Sequence, residues 1–215
     1  MTSRAATIAL ATALCVAPPP LAGQSALRLS AAGEGATVRA RSLTAAGRER
    51  LDGFLIVGEA ALARGRGRLR LRYGQGRLTS DSAGVQPRSL TEGEALAGVA
   101  ALPWLALWTG PHARSYLTDF GNQRWLFWEA RASAVATVVP GQLSSFFDGW
   151  VAVAGRINVP EAFGGARGAA GGVVARIARP ALWLRLTYRI EQARLAAGRR
   201  ETVEAVALSL GRDLK

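Results

Sequence analysis

Residues 66 to 73 run Arg66-Gly67-Arg68-Leu69-Arg70-Leu71-Arg72-Tyr73, a strict two-residue alternation. An extended strand sends successive side chains to opposite faces, so this segment carries four guanidiniums on one side and an apolar row on the other. A helix of the same sequence would mix the two. One face must therefore be solvated or ion-paired and the other dry, and the fold has to supply both environments.

The same period recurs along the chain. It yields ten candidate strands, at approximately 35–43, 51–63, 66–77, 91–102, 104–116, 123–138, 145–157, 169–179, 182–194 and 200–212, with eight as the smaller alternative count. Sorted by parity, one face collects Phe54, Ile56, Leu69, Leu71, Tyr73, Leu126, Trp128, Val151, Val153, Ile157 and the run Leu182, Leu184, Leu186, Tyr188, Ile190. The other face collects Glu59, Arg66, Arg68, Arg70, Arg72, Glu92, Glu94, His112, Arg114, Glu129, Arg131, Arg156, Arg176, Arg185, Arg189 and Glu191. A spanning helix needs about 20 apolar residues. The longest apolar run, Ala95 to Trp108, falls short and is broken by Pro103.

The N-terminus bears on where such a sheet would sit. Arg4 supplies a positive start, Ala5 to Ala17 a weakly polar to apolar stretch, and Pro18 to Gly23 a break ahead of Gln24, the layout of a secretory signal peptide over 1–23. Residues 24–215 then form a single mature domain. Cys15, the only cysteine, falls inside the leader, and Leu14 before it departs from the small residue that a lipoprotein signal needs. The mature chain thus has no thiol for a disulfide or a thiolate metal site. It keeps 26 basic against 15 acidic residues once Arg4 is removed, a net of +11. That imbalance suggests a polyanionic partner. Export and the lack of arginine clusters interleaved with stacking aromatics argue against nucleic acid. Lipopolysaccharide phosphates suit exposed arginines better.

The connections alternate between longer polar stretches (44–50, 79–90, 117–122, 158–168, 195–199) and shorter turns (64–65, around Pro103, 139–144, around Pro180). With these strands, faces and connections the mature chain resembles bacterial outer-membrane β-barrel proteins as a class. The resemblance implies an all-β, antiparallel up-and-down transmembrane barrel with both termini periplasmic, no cofactor, contact with outer-membrane lipids including lipopolysaccharide, and insertion by the barrel-insertion machinery. Such barrels usually end on an aromatic residue, whereas this chain ends Asp213-Leu214-Lys215. The implied role is that of a membrane scaffold, a surface-binding module or a narrow conduit. Trp104 and Trp183 would flank the periplasmic turns, with Tyr73, Trp128 and Tyr188 toward the outer interface.

Turn lengths predict registers. With Arg64-Gly65 as a two-residue turn, Glu59 falls opposite Arg70; with 102–104 as a turn, Glu94 faces His112 and Glu92 faces Arg114. Buried charge is tolerated only when paired, so the expected interior is laced by Arg and Glu instead of forming an open pore. Two other classes remain. A soluble periplasmic barrel of the lipocalin sort would turn the Arg-rich face outward and line a ligand cavity with Leu. An outer-membrane lipid hydrolase would use His112 to activate Ser115, with Asp119 nearby, but His112 and Ser115 differ in parity on one strand. Glu92 and Glu94 read as salt-bridge partners before they read as a glycosidase dyad. The run Gly164 to Gly172 reads as a mobile outer loop, since no strand-loop-helix context surrounds it.

Overall fold

The alternation at 66–73 becomes strand β3 (Gly67–Thr79) in the computed structural model, which describes residues 26–44, 47–80, 82, 85–118, 121–177, 181–196 and 198–214. The leader over 1–23, with Cys15, and Asp119 lie outside the described residues. Nine further strands accompany β3: β1 (Arg28–Thr44), β2 (Gly47–Arg64), β4 (Arg88–Leu102), β5 (Leu105–Thr118), β6 (Gly121–Val139), β7 (Leu143–Ile157), β8 (Phe163–Ile177), β9 (Leu182–Leu195) and β10 (Arg200–Leu214). Each pairs antiparallel with its sequence neighbours, and β1 closes on β10, giving a ten-stranded up-and-down barrel. Closure removes the two free edges of the sheet, and the β7–β8 ladder ends at Val151 opposite Arg167.

An even strand count brings both ends of the sheet to one rim, where Leu29 lies opposite Leu214. That rim, the terminus end, also carries the β2–β3, β4–β5, β6–β7 and β8–β9 connections. The opposite rim, the loop end, carries the β1–β2, β3–β4, β5–β6, β7–β8 and β9–β10 connections. The expected contrast between long and short connections is weaker than the sequence suggests. Thr44 already pairs with Gly47 and Thr118 with Gly121, because the Arg- and Thr-bearing ends of these strands keep their ladder partners.

Three local differences matter for the interior. Gly65 takes a φ of 58° in the β2–β3 connection. The turn is therefore Gly65-Arg66, with glycine at the first central position where the positive φ is easily reached, and not Arg64-Gly65. Glu59 consequently lies opposite Arg72 instead of Arg70. In β7 the register slips by one at Val153, since Trp128 pairs with Ala154 and Glu129 with Ala152. That bulge reverses parity beyond it, so Arg156 turns outward and Ile157 inward, opposite to their expected faces. Finally, β1 begins at Arg28 and β8 at Phe163, several residues before their expected starts. The glycine run at 164–172 is strand, not loop. A Cβ at Gly168 would stand 2.4 Å from the indole nitrogen of Trp150, so glycine is there to admit a ring from the next strand, a reason invisible to strand propensity.

The two faces of the wall separate cleanly. Ile56, Leu71, Tyr73, Leu186, Leu208 and Leu210 are exposed on the outside, while Leu55, Leu78, Phe127 and Glu129 are buried within. Outward positions from Phe54 to Leu62, Leu69 to Tyr73, Leu182 to Ile190 and Val206 to Leu210 carry no charge. Eight residue steps along β9 at a tilt near 40° correspond to an apolar height of about 20 Å. This is the reverse of a lipocalin-like carrier. Tyr73, Trp104, Trp128 and Tyr188 are exposed as expected, but Trp183 is buried beneath the guanidinium of Arg185, 5.3 Å from its ring.

The corrected turn is directly checkable. Ala63 and Arg68 are ladder partners, and cysteines placed there should oxidise to a disulfide that shifts the unreduced protein on a gel. Cysteines at Ala63 and Arg66, partners in the alternative register, should not.

Candidate functional site

The inward parity of nine strands, all but β8, delivers charged side chains to the middle of the barrel, where they form an ion-paired lattice. Glu92 on β4 is its hub. It accepts from Arg114 Nε at 2.9 Å and from Arg189 Nη2 at 2.9 Å, with Arg72 at 3.9 Å. Arg114 also pairs with Glu191 and reaches Glu201 at 3.7 Å, whose carboxylate accepts the Tyr116 hydroxyl at 2.7 Å. Arg72 pairs with Glu34, which accepts from Ser209 at 2.9 Å. Arg185 binds Glu59 at 2.8 Å and approaches Glu34 at 3.5 Å.

A second group lies beside it. Arg131 bridges Glu94 at 2.6 Å and Glu129 at 2.7 Å, and Arg70 binds Glu94 at 3.0 Å and approaches Asp148 at 4.0 Å. Arg70 also stacks over Trp108, 5.2 Å from the ring centre. His112 Nδ1 stands 3.3 Å from Glu129, its ring packed edge-on against Phe127 and Trp150.

Toward the loop end the interior becomes apolar, beneath a mouth where Arg88 pairs with Glu49 and Arg199 donates to Gln123 at 3.2 Å. Leu51, Leu55, Leu78, Leu90, Trp125 and Phe127 are almost wholly buried and belong to one cluster with Val203 and Leu195. Among the charged side chains lies a cavity of about 60 Å³ lined by Glu34, Glu59, Arg70, Arg72, Asp148 and Arg185 among others. It holds only a few waters. The lumen is thus filled by salt bridges at mid-height and by an apolar cap above them.

The residues expected to line the lumen divide accordingly. Glu59, Arg70, Arg72, Glu92, Glu94, His112, Arg114, Glu129, Arg131, Arg185, Arg189 and Glu191 all lie in the two groups, with Glu92 opposite Arg114 and Glu94 opposite His112 in the ladder. The contacts often differ from the ladder. Glu59 meets Arg185 across the lumen, and His112 bonds Glu129 instead of Glu94. Arg68 is half-buried beside Ala63 and Gly98. Three lie elsewhere: Arg66 is exposed in the turn, Arg156 is turned outward by the bulge, and Arg176 sits at the terminus-end rim against Asp213 at 3.3 Å. Sequence reading missed Glu34, Tyr116, Asp148 and Glu201. Glu34 lay just ahead of the expected start of β1, whereas Asp148 shares parity with buried Trp150 and was legible.

Other chemistries fit less well. Glu94, His112 and Glu129 place one potential ligand atom each within 4.8 Å of one another. The Arg131 guanidinium already bridges the two carboxylates, so a divalent cation would have to displace a cation that satisfies them. Ser115 donates to Asn122 Oδ1 at 2.6 Å, and the opposite parity of His112 keeps the pair on different sides of the wall.

No protein-family model and no curated protein matches the chain. Solved structures that resemble it are bacterial outer-membrane barrels. Neisserial surface protein A aligns with 15% identity and a TM-score of 0.40, covering 89% of this chain and 99% of that one. The translocator domain of autotransporter NalP from Neisseria meningitidis aligns at 10% identity and a TM-score of 0.48, covering 88% and 89%. The COG4313 outer membrane channel from Pseudomonas putida F1 gives 9% and 0.45, covering 90% and 97%. The likeness is one of barrel architecture; what the barrel does has to come from its own two faces.

The lattice makes a stability prediction. Glu92→Ala leaves Arg114 and Arg189 short of a buried counter-charge and should cost about 3–5 kcal/mol. Glu92→Gln, which keeps an acceptor, should cost less. The midpoints of denaturant unfolding in detergent micelles, with folded and unfolded bands separated on a gel, measure both.

Proposed function

We propose that this chain is an integral outer-membrane β-barrel with a sealed lumen, exported by its N-terminal leader and acting as a membrane scaffold and surface-binding module, without enzymatic activity. One observation carries the reading: the outward wall is apolar and free of charge over a bilayer-like height, while the strand charges at mid-height are paired inside. Each exposed Arg at the midplane of a lipid-facing wall would cost about 2–4 kcal/mol. A soluble protein has no reason to avoid such charge. Closure of β1 on β10 supports the same environment, because a wall in hydrocarbon must satisfy its own backbone.

The filled interior favours the scaffold over the narrow conduit. Ions entering from the terminus end meet guanidiniums already held by carboxylates, then the cap of Leu51, Leu55, Leu78 and Phe127. Neither layer offers a continuous wet path. The termini and the tight turns at their rim would then face the periplasm, and the loop end the exterior.

Two measurements test this. Expressed in a bacterium with an outer membrane, the protein should fractionate with that membrane and migrate faster unheated than boiled. In a planar lipid bilayer it should add no stepwise conductance. A soluble periplasmic product without a heat-dependent shift overturns the membrane placement, and regular single-channel steps overturn the sealed lumen.

A further inference from the structure

The chain's positive charge does not reside in its lumen. The lattice sets Arg70, Arg72, Arg114, Arg131, Arg185 and Arg189 against more carboxylates than guanidiniums, since Glu34, Glu59, Glu92, Glu94, Glu129, Asp148, Glu191 and Glu201 all join it. The excess arginine is therefore at the rims. At the loop end several arginines point outward, and on β1 and β2 three of them are ion-paired: Arg39 and Arg50 share Asp52, each at 2.7 Å, and Arg41 holds Glu204.

The neighbouring patch on β8, β9 and β10 is different. Arg194 and Arg200 are directly opposed across the β9–β10 ladder, and Arg167 on β8 lies opposite Gln192. All three arginines are exposed. Arg167 Nη2 and Arg194 Nη2 converge on the same neutral acceptor, Gln192 Oε1, at 3.4 and 3.2 Å. Among the described residues no carboxylate lies within ion-pair distance of Arg167, Arg194 or Arg200. Like charges set directly opposite each other on a sheet repel, and one amide oxygen does not offset three guanidiniums. The arrangement lacks an anion.

Its position says which kind. Gln192 follows the outward, exposed Ile190 by two residues, about 7 Å along the strand, so the guanidiniums stand just above the apolar wall. Lipid headgroups lie at that depth. We propose that Arg167, Arg194 and Arg200, with Gln192 between them, bind the phosphate of a lipid headgroup in the leaflet at the loop end, preferring a phosphomonoester such as those of lipid A over a phosphodiester. A phosphomonoester carries nearly two charges and three acceptor oxygens, which suits guanidiniums arriving from adjacent strands. The site rests on the membrane placement above and gives the surface-binding role a ligand.

Native mass spectrometry of the full barrel in a neutral detergent, titrated with diphosphoryl lipid A, tests it. The triple variant R167Q/R194Q/R200Q should bind about tenfold more weakly, whereas R28Q/R66Q/R68Q at the opposite rim should bind as the unaltered chain does. Dephosphorylated lipid A and phosphatidylglycerol should bind more weakly than diphosphoryl lipid A. The proposal is overturned if the triple variant binds within about twofold of the unaltered chain, if removing the phosphates changes nothing, or if inorganic phosphate at equal concentration displaces the lipid, which would make this a free-anion site. Retention of the heat-dependent gel shift reports that a variant folds. Should the triple variant lack it, R194Q alone is read in its place, with about threefold weakening expected. Failure of the membrane placement itself would appear separately, as loss of that shift and of membrane fractionation in the unaltered protein.

Discussion

Everything in this barrel depends on pairing: of backbone groups around the wall and of charges within it. A wall that presents Leu, Ile, Val and aromatic side chains outward gains from pairing the N–H and C=O groups beside them, and closure of β1 on β10 removes the two free edges. Closure in turn drives the charged face inward, where the side chains lose water. Each guanidinium then needs a carboxylate, and the lattice around Glu92 and Glu94 supplies them. Such pairs are weak evidence of added stability, since their desolvation offsets much of the attraction. Their consequence is specificity: a one-residue slip of β3 or β9 would place arginines in the outer face and leucines in the lumen.

The interior is graded along the barrel axis. Salt bridges occupy its middle, a small wet cavity lies among them, and an apolar cap of Leu55, Leu78, Trp125 and Phe127 closes the loop end. Small inward residues make the filling feasible. Gly211 accepts the ring of Trp183 and Gly168 that of Trp150, so large side chains of one strand pack over bare backbone of the next. The barrel's contacts with the surroundings are made by its outer wall and rims, which is where the unneutralised arginines stand.

Much of this was legible in the chain. The period of two pointed to ten strands, with eight left open, and to the face of most charged residues, because parity along an extended strand is a local property. The expected opposition of Glu92 to Arg114 and Glu94 to His112 holds because a bulge between Ala100 and Leu102 offsets a turn one residue shorter than 102–104. What failed did so where a single residue breaks the count. Gly65, by taking the positive φ, moved the β2–β3 turn by one and put Arg66 in solvent. Val153, as the extra residue of a bulge, reversed Arg156 and Ile157. The glycines of β8 read as a loop because their reason for being there, an aromatic ring on β7, belongs to another strand.

The sequence by itself determined that the chain forms alternating strands with one charged and one apolar face, since side-chain direction along a strand needs no partner. Only the tertiary structure decided which carboxylate meets which guanidinium. Arg185 with Glu59, Arg131 with Glu94 and Arg114 with Glu191 join strands that are not neighbours in the sheet, through contacts made across the lumen once the ring has closed. The tertiary structure also decided which arginines are left without a carboxylate, because a charge is unpaired only with respect to everything that folding brings near it.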